Sequence, residues 1–293
     1  MTTTKNDYNE YFKDFVVFIL TYGRPSQQYT LRSFRKMGWD GDIYFICSDD
    51  DKTLPEYKKM YGDKVIVFNK EDIKEEMEFD TYDNMDNRVI IYARNFCFKA
   101  AKDLGKRYFI QLDDDYTNFQ YKLDWRDDFK IGQVRNIKPI LKSYLDYYKS
   151  INAVTIAMGQ GGDFMGGNNG VFHKSLGRRR KAMNSFFCDV QRPFQFVGRV
   201  NEDVNTYTSY QNKGNLFLTI PYVALVQHQT QTNAGGMSEM YLDSGTFIKS
   251  FYTIIGGPSY TKIKMMGKNK RLHHNIKWKY AVPQIISEEH RKL

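Results

Sequence analysis

Asp113, Asp114 and Asp115 stand in a row at the end of the run Tyr108-Phe109-Ile110-Gln111-Leu112. Three adjacent carboxylates repel one another unless a cation offsets them. Carboxylate oxygens are hard ligands that suit Mg²⁺ or Mn²⁺, and these ions share their coordination shell with a substrate's diphosphate. The trio has a second reading, an acidic turn that solvates itself, and its surroundings must choose between the two.

The elements around the trio can be read from periodicity. Phe109, Ile110 and Leu112 predict a strand covered on both faces. Upstream, Ala93, Phe96 or Cys97, Ala100 and Leu104 recur at helical spacing, and Gly105 sits where a helix takes a C′ glycine. Arg94 and Asn95 lie beside that apolar stripe rather than in it; in isolation Arg94 reads as a solvated helix arginine. The short link through Gly105, Lys106 and Arg107 makes helix and acidic loop neighbours. Nearer the start, Phe15 to Leu20 is a continuous apolar strand followed by Thr21-Tyr22-Gly23-Arg24-Pro25, with Ser26 as N-cap of a helix running through Lys36. Ile43 to Cys47 predicts a second strand, ending at Ser48-Asp49-Asp50-Asp51. Tyr57 to Tyr61 predicts a short helix and Val65 to Phe68 a third strand. Such alternation indicates a parallel sheet with ligands at the carboxyl ends of its strands.

With Ala93-Arg94-Asn95 on a helix and Gln111-Leu112-Asp113-Asp114-Asp115-Tyr116 closing the next strand, the chain resembles the GT-A glycosyltransferases. Within them it is most similar to the TET-associated glycosyltransferase group of phage DNA hypermodification systems. The resemblance covers roughly residues 15 to 230, with its motifs in the family's order. It implies an α/β fold of the GT-A type, a Rossmann-like mixed sheet flanked by helices, to which the charge distribution adds a basic C-terminal extension. It also implies roles. Asp113 and Asp115 hold the metal, and Asp114 supports the loop or contacts the ribose. Thr21, Tyr22 and Arg24 hold the nucleotide at the end of the first strand, and Asp49 faces the base or ribose. Arg94 offsets donor charge. Asp203, with Glu202 as its rival, is the base that takes the acceptor proton in an inverting displacement. His228, closing the run from Tyr222, resembles the third metal ligand; imidazole suits Mn²⁺ better than Mg²⁺. Taken alone, Glu202-Asp203 reads as an acidic first helix turn, and His228 as an ordinary polar contact.

The stretch Met158 to Gly170 is too glycine-rich for regular structure and reads as an acceptor-side loop or a flexible surface loop. It is not a phosphate loop, because no Gly-Lys-Ser/Thr closes it. The net charge is +9. Residues 262–293 hold nine Lys or Arg against two Glu, so most of the excess is C-terminal. Lys262, Lys264, Lys268, Lys270, Arg271, Lys277 and Lys279 interleave with Tyr260, His273, His274, Trp278 and Tyr280, and a second basic cluster joins Lys174 to Arg178-Arg179-Arg180-Lys181. Basic residues among aromatics suit phosphate contacts with base stacking, hence a DNA acceptor. A solvated tail or an anionic lipid surface is the alternative. Glu71 to Asp86 reads as an acidic surface segment, and Met1 to Glu10 as polar and frayed. The 3 cysteines, Cys47, Cys97 and Cys188, lack metal-ligand spacing and imply a reduced, cytoplasmic setting, the host's if the gene is phage-borne. No apolar run reaches the roughly 20 residues that span a bilayer.

The expected organisation is a polar segment 1–14, a GT-A domain 15–259 with a nucleotide-sugar half 15–118 and an acceptor half 119–259, and a basic extension 260–293. The expected activity is metal-dependent transfer of a sugar from a nucleotide-sugar, a UDP-sugar, to a 5-hydroxymethylpyrimidine in DNA. Three alternatives are a carbohydrate or protein acceptor, a nucleic-acid-binding module on an inactive GT-A scaffold, and a nucleotidyltransferase of similar topology.

Overall fold

The structure is a computed structural model and describes residues 5–75, 90–124, 126, 128–164, 167–170, 182, 185–198, 200–227, 247–248, 250–266 and 271–281. Its main sheet contains β1 (Phe15–Leu20), β2 (Ile43–Ser48), β3 (Val65–Phe68), β4 (Tyr108–Asp113), β5 (Tyr116–Leu123), β6 (Phe129–Gln133), β7 (Thr155–Gln160), β8 (Ser185–Asp189) and β9 (Phe217–Gln227), in the spatial order β3-β2-β1-β4-β8-β7-β9-β5-β6. β3, β2, β1 and β4 are parallel neighbours, β8 runs antiparallel to β4, and β7 pairs parallel with β9. The sheet is therefore mixed.

Period-2 geometry sends Phe15, Val17 and Ile19 into one core and Val16, Phe18 and Leu20 into the other. A strand buried on both faces needs helices on both. The first core receives Phe34 and Met37 of and just after α2 (Tyr29–Lys36), Tyr57 of α3 (Leu54–Tyr61), and Leu141, Tyr144 and Tyr148 of α6 (Lys138–Ser150). The second receives Phe96, Cys97 and Ala100 of α5 (Ile91–Asp103) with Val204 and Tyr207 of α7 (Glu202–Gln211). Burying a Phe, Leu, Ile, Val or Met side chain contributes about 1.5–3 kcal/mol, which explains why the apolar runs were legible as strands.

Several local expectations need correction. Residues 5–11 are not frayed: they form helix α1 (Lys5–Tyr11), with Tyr8 and Tyr11 packed on the first core. Ser26 is not an N-cap; α2 starts at Tyr29, because the Gln28 amide donates to Thr21 Oγ1 (2.9 Å) and to the Arg24 carbonyl (3.0 Å), holding this stretch out of helical geometry. The Met158–Gly170 stretch is partly regular: Met158 to Gln160 end β7, and two short 3₁₀ turns follow at Gly161–Phe164 and Gly167–Asn169. The run expected from Tyr222 belongs to a longer strand, β9, that starts at Phe217 and passes through Pro221, and its register with β7 jumps from Met158↔Ile220 to Gly159↔Ala224; proline has no N–H to give the ladder, so the strand bulges there. The acidic stretch begins as helix α4 (Lys70–Glu75), and residues 76–86 lie outside the described residues. The glycine expectation holds: Gly105 has φ +65°, and Lys106 N–H to Ala101 O (2.8 Å) with Gly105 N–H to Lys102 O (3.0 Å) make a Schellman stop after α5.

The last described segment is a second, two-stranded sheet, β10 (Thr261–Met266) and β11 (Arg271–Ile276), followed by a helical turn Trp278–Ala281. It packs on α7: the Trp278 ring stacks on Tyr207 (5.6 Å between centroids, 16° between planes), and Ile276 joins the second core. Among the described residues no helix is long and apolar enough to cross a membrane.

Candidate functional site

Only Asp114 and Asp115 separate β4 from β5 in the chain, yet three strands, β8, β7 and β9, lie between them in the sheet. The sheet must curl to allow this, and α2 clamps the resulting turn. Thr30 Oγ1 donates to the Asp113 carbonyl (2.5 Å) and accepts the Tyr116 N–H (3.0 Å), while the Thr30 N–H, one of the helix's otherwise unpaired first amides, donates to the Asp114 carbonyl (3.0 Å). Ser33 Oγ adds a bond to the Tyr116 carbonyl (2.9 Å).

The three carboxylates point different ways. Asp114 is buried inward, accepting from Thr21 Oγ1 (2.6 Å) and pairing with the Arg24 guanidinium (3.0 Å). It supports the loop and the end of β1. Thr21 in turn shares a 2.6 Å bond with the Tyr57 hydroxyl, which accepts the Arg24 N–H at 3.0 Å. Asp115 accepts from Gln227 Nε2 at the end of β9 (2.9 Å), and its other oxygen, Oδ1, is buried with no hydrogen-bond partner. Asp113 accepts from the Tyr116 hydroxyl (3.3 Å) and from Arg94 (3.2 Å). Beside them Tyr22 is partly exposed, with Lys70 over its ring, while Asp49 is exposed and bonded to Asn69 (2.9 Å). The acid that shapes this corner is Asp51, which takes the Gly23 N–H (2.8 Å) and both Thr53 donors.

Arg94 is only 1 % exposed, so the reading of a solvated helix arginine is wrong. Its guanidinium lies over the rings of Phe186 (5.2 Å) and Phe196 (5.7 Å), which meet each other edge-on at 4.8 Å, so one cation makes a cation–π contact with each. From there it donates to Asp113 Oδ1 and, through Nε, to Glu202 Oε1 (3.0 Å). A planar fork with fixed donors can serve two carboxylates on different elements; a lysine cannot do so with the same geometry.

Glu202 and Asp203 open α7, entered through Asn201 in the left-handed region (φ 55°), which is tied by its side chain to Thr253 Oγ1 (2.9 Å). Gly198, at φ +85°, lies against Asn205: a Cβ there would sit 2.5 Å from Asn205 Nδ2. Asp203 Oδ1 accepts the Val204 N–H (2.8 Å), and Asp203 lies near enough to Asp113 and Glu202 for its charge to raise the pKa of both.

Five carboxylates thus converge on two guanidinium groups. Burial pushes Asp114 up to about 7 and Asp115 up to about 6, and raises Asp113 against the opposing pull of Arg94. Burial likewise lifts Glu202 to about 7, against the opposing pull of Arg94 and with the like charge of Asp203 adding to the rise. The Asp115 oxygen without a partner and this surplus of hard, negative oxygen donors fit a divalent cation. Among the described residues no three His, Cys, Asp or Glu side chains are already arranged as a metal cluster. His228 lies outside the described residues; the residue before it, Gln227, is the one bonded to Asp115.

The sequence model of the TET-associated glycosyltransferases matches residues 15–236. The chain belongs to that family. No curated protein matches it. Among solved structures, this TET-associated glycosyltransferase is similar to glucosyl-3-phosphoglycerate synthase from Mycobacterium tuberculosis in complex with Mn²⁺ and UDP-glucose, at 8 % identity over 94 % of this chain and 91 % of that one, TM-score 0.50. Another match is a mannosyltransferase from Pyrobaculum calidifontis in complex with GDP-mannose and Mn²⁺, at 12 % identity over 83 % and 64 %, TM-score 0.47. The chain is a glycosyltransferase with the GT-A fold.

Sequence reasoning did not single out Thr30, Gln227, Phe186, Phe196 or Asp51 for the site. Gln227 carried a usable signal, as the neighbour of His228 at the end of an apolar run. Thr30 and the two phenylalanines carried none, since their roles depend on which elements meet. The three cysteines are buried and free. The second basic cluster, 174 and 178–181, lies outside the described residues.

Proposed function

We propose that this glycosyltransferase moves a sugar from a nucleotide-sugar, a UDP-sugar, to the hydroxyl of a 5-hydroxymethylpyrimidine in DNA by a single, inverting displacement. The observation that carries the reading is the Arg94 bridge, which ties Asp113 in the donor half (15–118) to Glu202, next to Asp203, in the acceptor half (119–259). Asp203 takes the proton from the acceptor hydroxyl, whose oxygen bonds to the anomeric carbon as the nucleoside diphosphate leaves from the opposite face. Glu202 is committed to Arg94, which favours Asp203 over Glu202 as the base. Thr21, Tyr22 and Arg24 receive the nucleotide at the carboxyl end of β1, with Asp49 toward the base or ribose, and Asp114 keeps Arg24 in place. Asp113 and Asp115, with His228, would hold Mn²⁺ or Mg²⁺, which when bound supplies positive charge against the leaving diphosphate. The Mn²⁺ and UDP-glucose of the mycobacterial structure support that choice of donor and ion. The family's TET association supports a hydroxymethylated base, and its exocyclic hydroxyl lies in the major groove, open to an enzyme.

The test is a panel of UDP-sugars with Mn²⁺ against unmodified, 5-hydroxymethylcytosine and 5-hydroxymethyluracil DNA, followed by digestion and mass measurement of the nucleosides. A hexose-mass increase on a hydroxymethylated nucleoside is the expected result. Turnover of donor with carbohydrate or protein but never with DNA would overturn the acceptor, and a product that retains nucleoside monophosphate would overturn the reaction class.

A further inference from the structure

No Asp or Glu occurs between Asp243 and Glu288. Within that acid-free stretch the antiparallel β10–β11 pair sorts its side chains by period 2. Thr261 pairs with Ile276 and Ile263 with His274, and on this face Thr261 and His274 are buried and Ile276 packs on the second core. Lys262, opposite Asn275, and Lys264, opposite His273, fall on the other face, and both lysines are exposed. Lys277 follows β11, also exposed, and the charge of Lys262 lowers its pKa: like charges sit together with no acid between them. A solvated protein surface ordinarily intersperses both signs.

We propose that this outer face of the β10–β11 hairpin binds the phosphate backbone of duplex DNA. The proposal rests on the acceptor reading above and deepens it by naming the surface that holds the acceptor polymer. Three observations support it. The face carries Lys262, Lys264 and Lys277 and no acid of its own, complementary to a phosphate ladder, and lysines two apart on a strand are about 7 Å from one another. It is rigidly mounted: Trp278 stacks on Tyr207 of α7, and the Lys277 N–H donates to the Tyr260 carbonyl at 2.7 Å. Because α7 carries Asp203 in its first turn, a polymer held on the hairpin keeps a constant offset from that carboxylate. A membrane surface is the less suitable partner, since interfacial binding draws on an apolar face, Ile276 is used against the core, and the exposed Met265 falls on the face opposite the lysines.

The experiment uses the full chain and its Lys262→Ala/Lys264→Ala/Lys277→Ala variant, with fluorescence anisotropy of a labelled unmodified duplex across a salt series. Each lost phosphate contact flattens the log–log salt slope by about 0.9, so the variant's slope should be shallower by about 3 units. The matching Lys→Arg triple variant should keep the wild-type slope, and hydrolysis of free donor should be unchanged in both. An unchanged slope in the alanine variant overturns the proposal. So does binding to phosphatidylserine vesicles that needs these lysines while duplex binding does not. The acceptor reading fails separately: if the lysines govern duplex binding but no DNA base gains a sugar, the hairpin assignment stands and the acceptor falls. If DNA is glycosylated with an unaltered salt slope in the alanine variant, the reverse holds.

Discussion

Arg94 Nε donates to Glu202 Oε1 at 3.0 Å while the same guanidinium reaches Asp113 Oδ1 at 3.2 Å. One buried cation on α5 therefore fixes both the acid that closes β4 and the first residue of α7, and removing either contact disturbs the other element.

Glu202→Gln leaves Arg94 a neutral acceptor in place of a charge. In EDTA, the wild type carries a Glu202 whose pKa rises on folding from 4.5 to about 7, chiefly through burial. Between those values the folded state binds more protons than the unfolded one, so stability falls as pH rises through the window. The variant has no such proton, and its melting temperature should vary less over that range. Identical pH slopes for the two proteins would show that Glu202 does not titrate there.

Arg94→Ala should be far more damaging than Arg94→Lys. Stripping the buried guanidinium between Asp113 and Glu202 leaves both acids uncompensated, a cost of about 3–5 kcal/mol that urea denaturation would register. The lysine variant should fold but hydrolyse free donor more slowly, having no fork to span both acids. Wild-type stability in the alanine variant would mean that the bridge carries little.

Asp203→Asn should lower kcat by about 10²-fold or more with little change in donor affinity, because only proton removal in the transition state is lost. If donor affinity collapses instead, Asp203 is a donor ligand. If Glu202→Gln abolishes kcat at unchanged stability, the base is Glu202.

Asp115→Asn keeps the volume of the side chain and its bond to Gln227 but removes charge from the acid turn. Calorimetric titration should show Mn²⁺ affinity lost while circular dichroism is unchanged. Full activity of the wild type in excess EDTA would sink the metal assignment altogether.

Gly198→Ala tests how α7 is seated. The new Cβ would meet Asn205 Nδ2 at 2.5 Å on a backbone of φ +85°, and left-handed geometry alone costs about 1–2 kcal/mol for a residue with a side chain. A lower melting temperature together with a fall in kcat is expected; a neutral result would mean that the segment before α7 shifts freely.

The elements were legible where a single periodicity governs burial. Phe15 to Leu20 and Val65 to Phe68 are strands at the predicted limits, and Gly105 ends α5 because only a left-handed residue closes that stop. The acidic trio, the Arg94 helix and the Glu202-Asp203 helix start were also visible, since carboxylates crowded at a strand end are improbable without a reason. Local chemistry misled at Ser26, where a long-range bond from Gln28 to Thr21 outweighed cap preference, and at Trp278, whose expected role as a base-stacking ring gives way to a stack on Tyr207.

What the tertiary structure alone decided is where those residues face. Residue types told that Arg94 is a cation and Asp113 to Asp115 are acids; they could not tell that three strands separate β4 from β5 and that the curl of the sheet turns one acid to Arg24, one to Arg94 and one to Gln227. Nor could they place residues 108 apart, Arg94 and Glu202, at bonding distance. Periodicity reports which face of an element is apolar. The partners that meet across a site depend on the order of strands in the sheet, and that order is set by long-range packing that no local window of sequence contains.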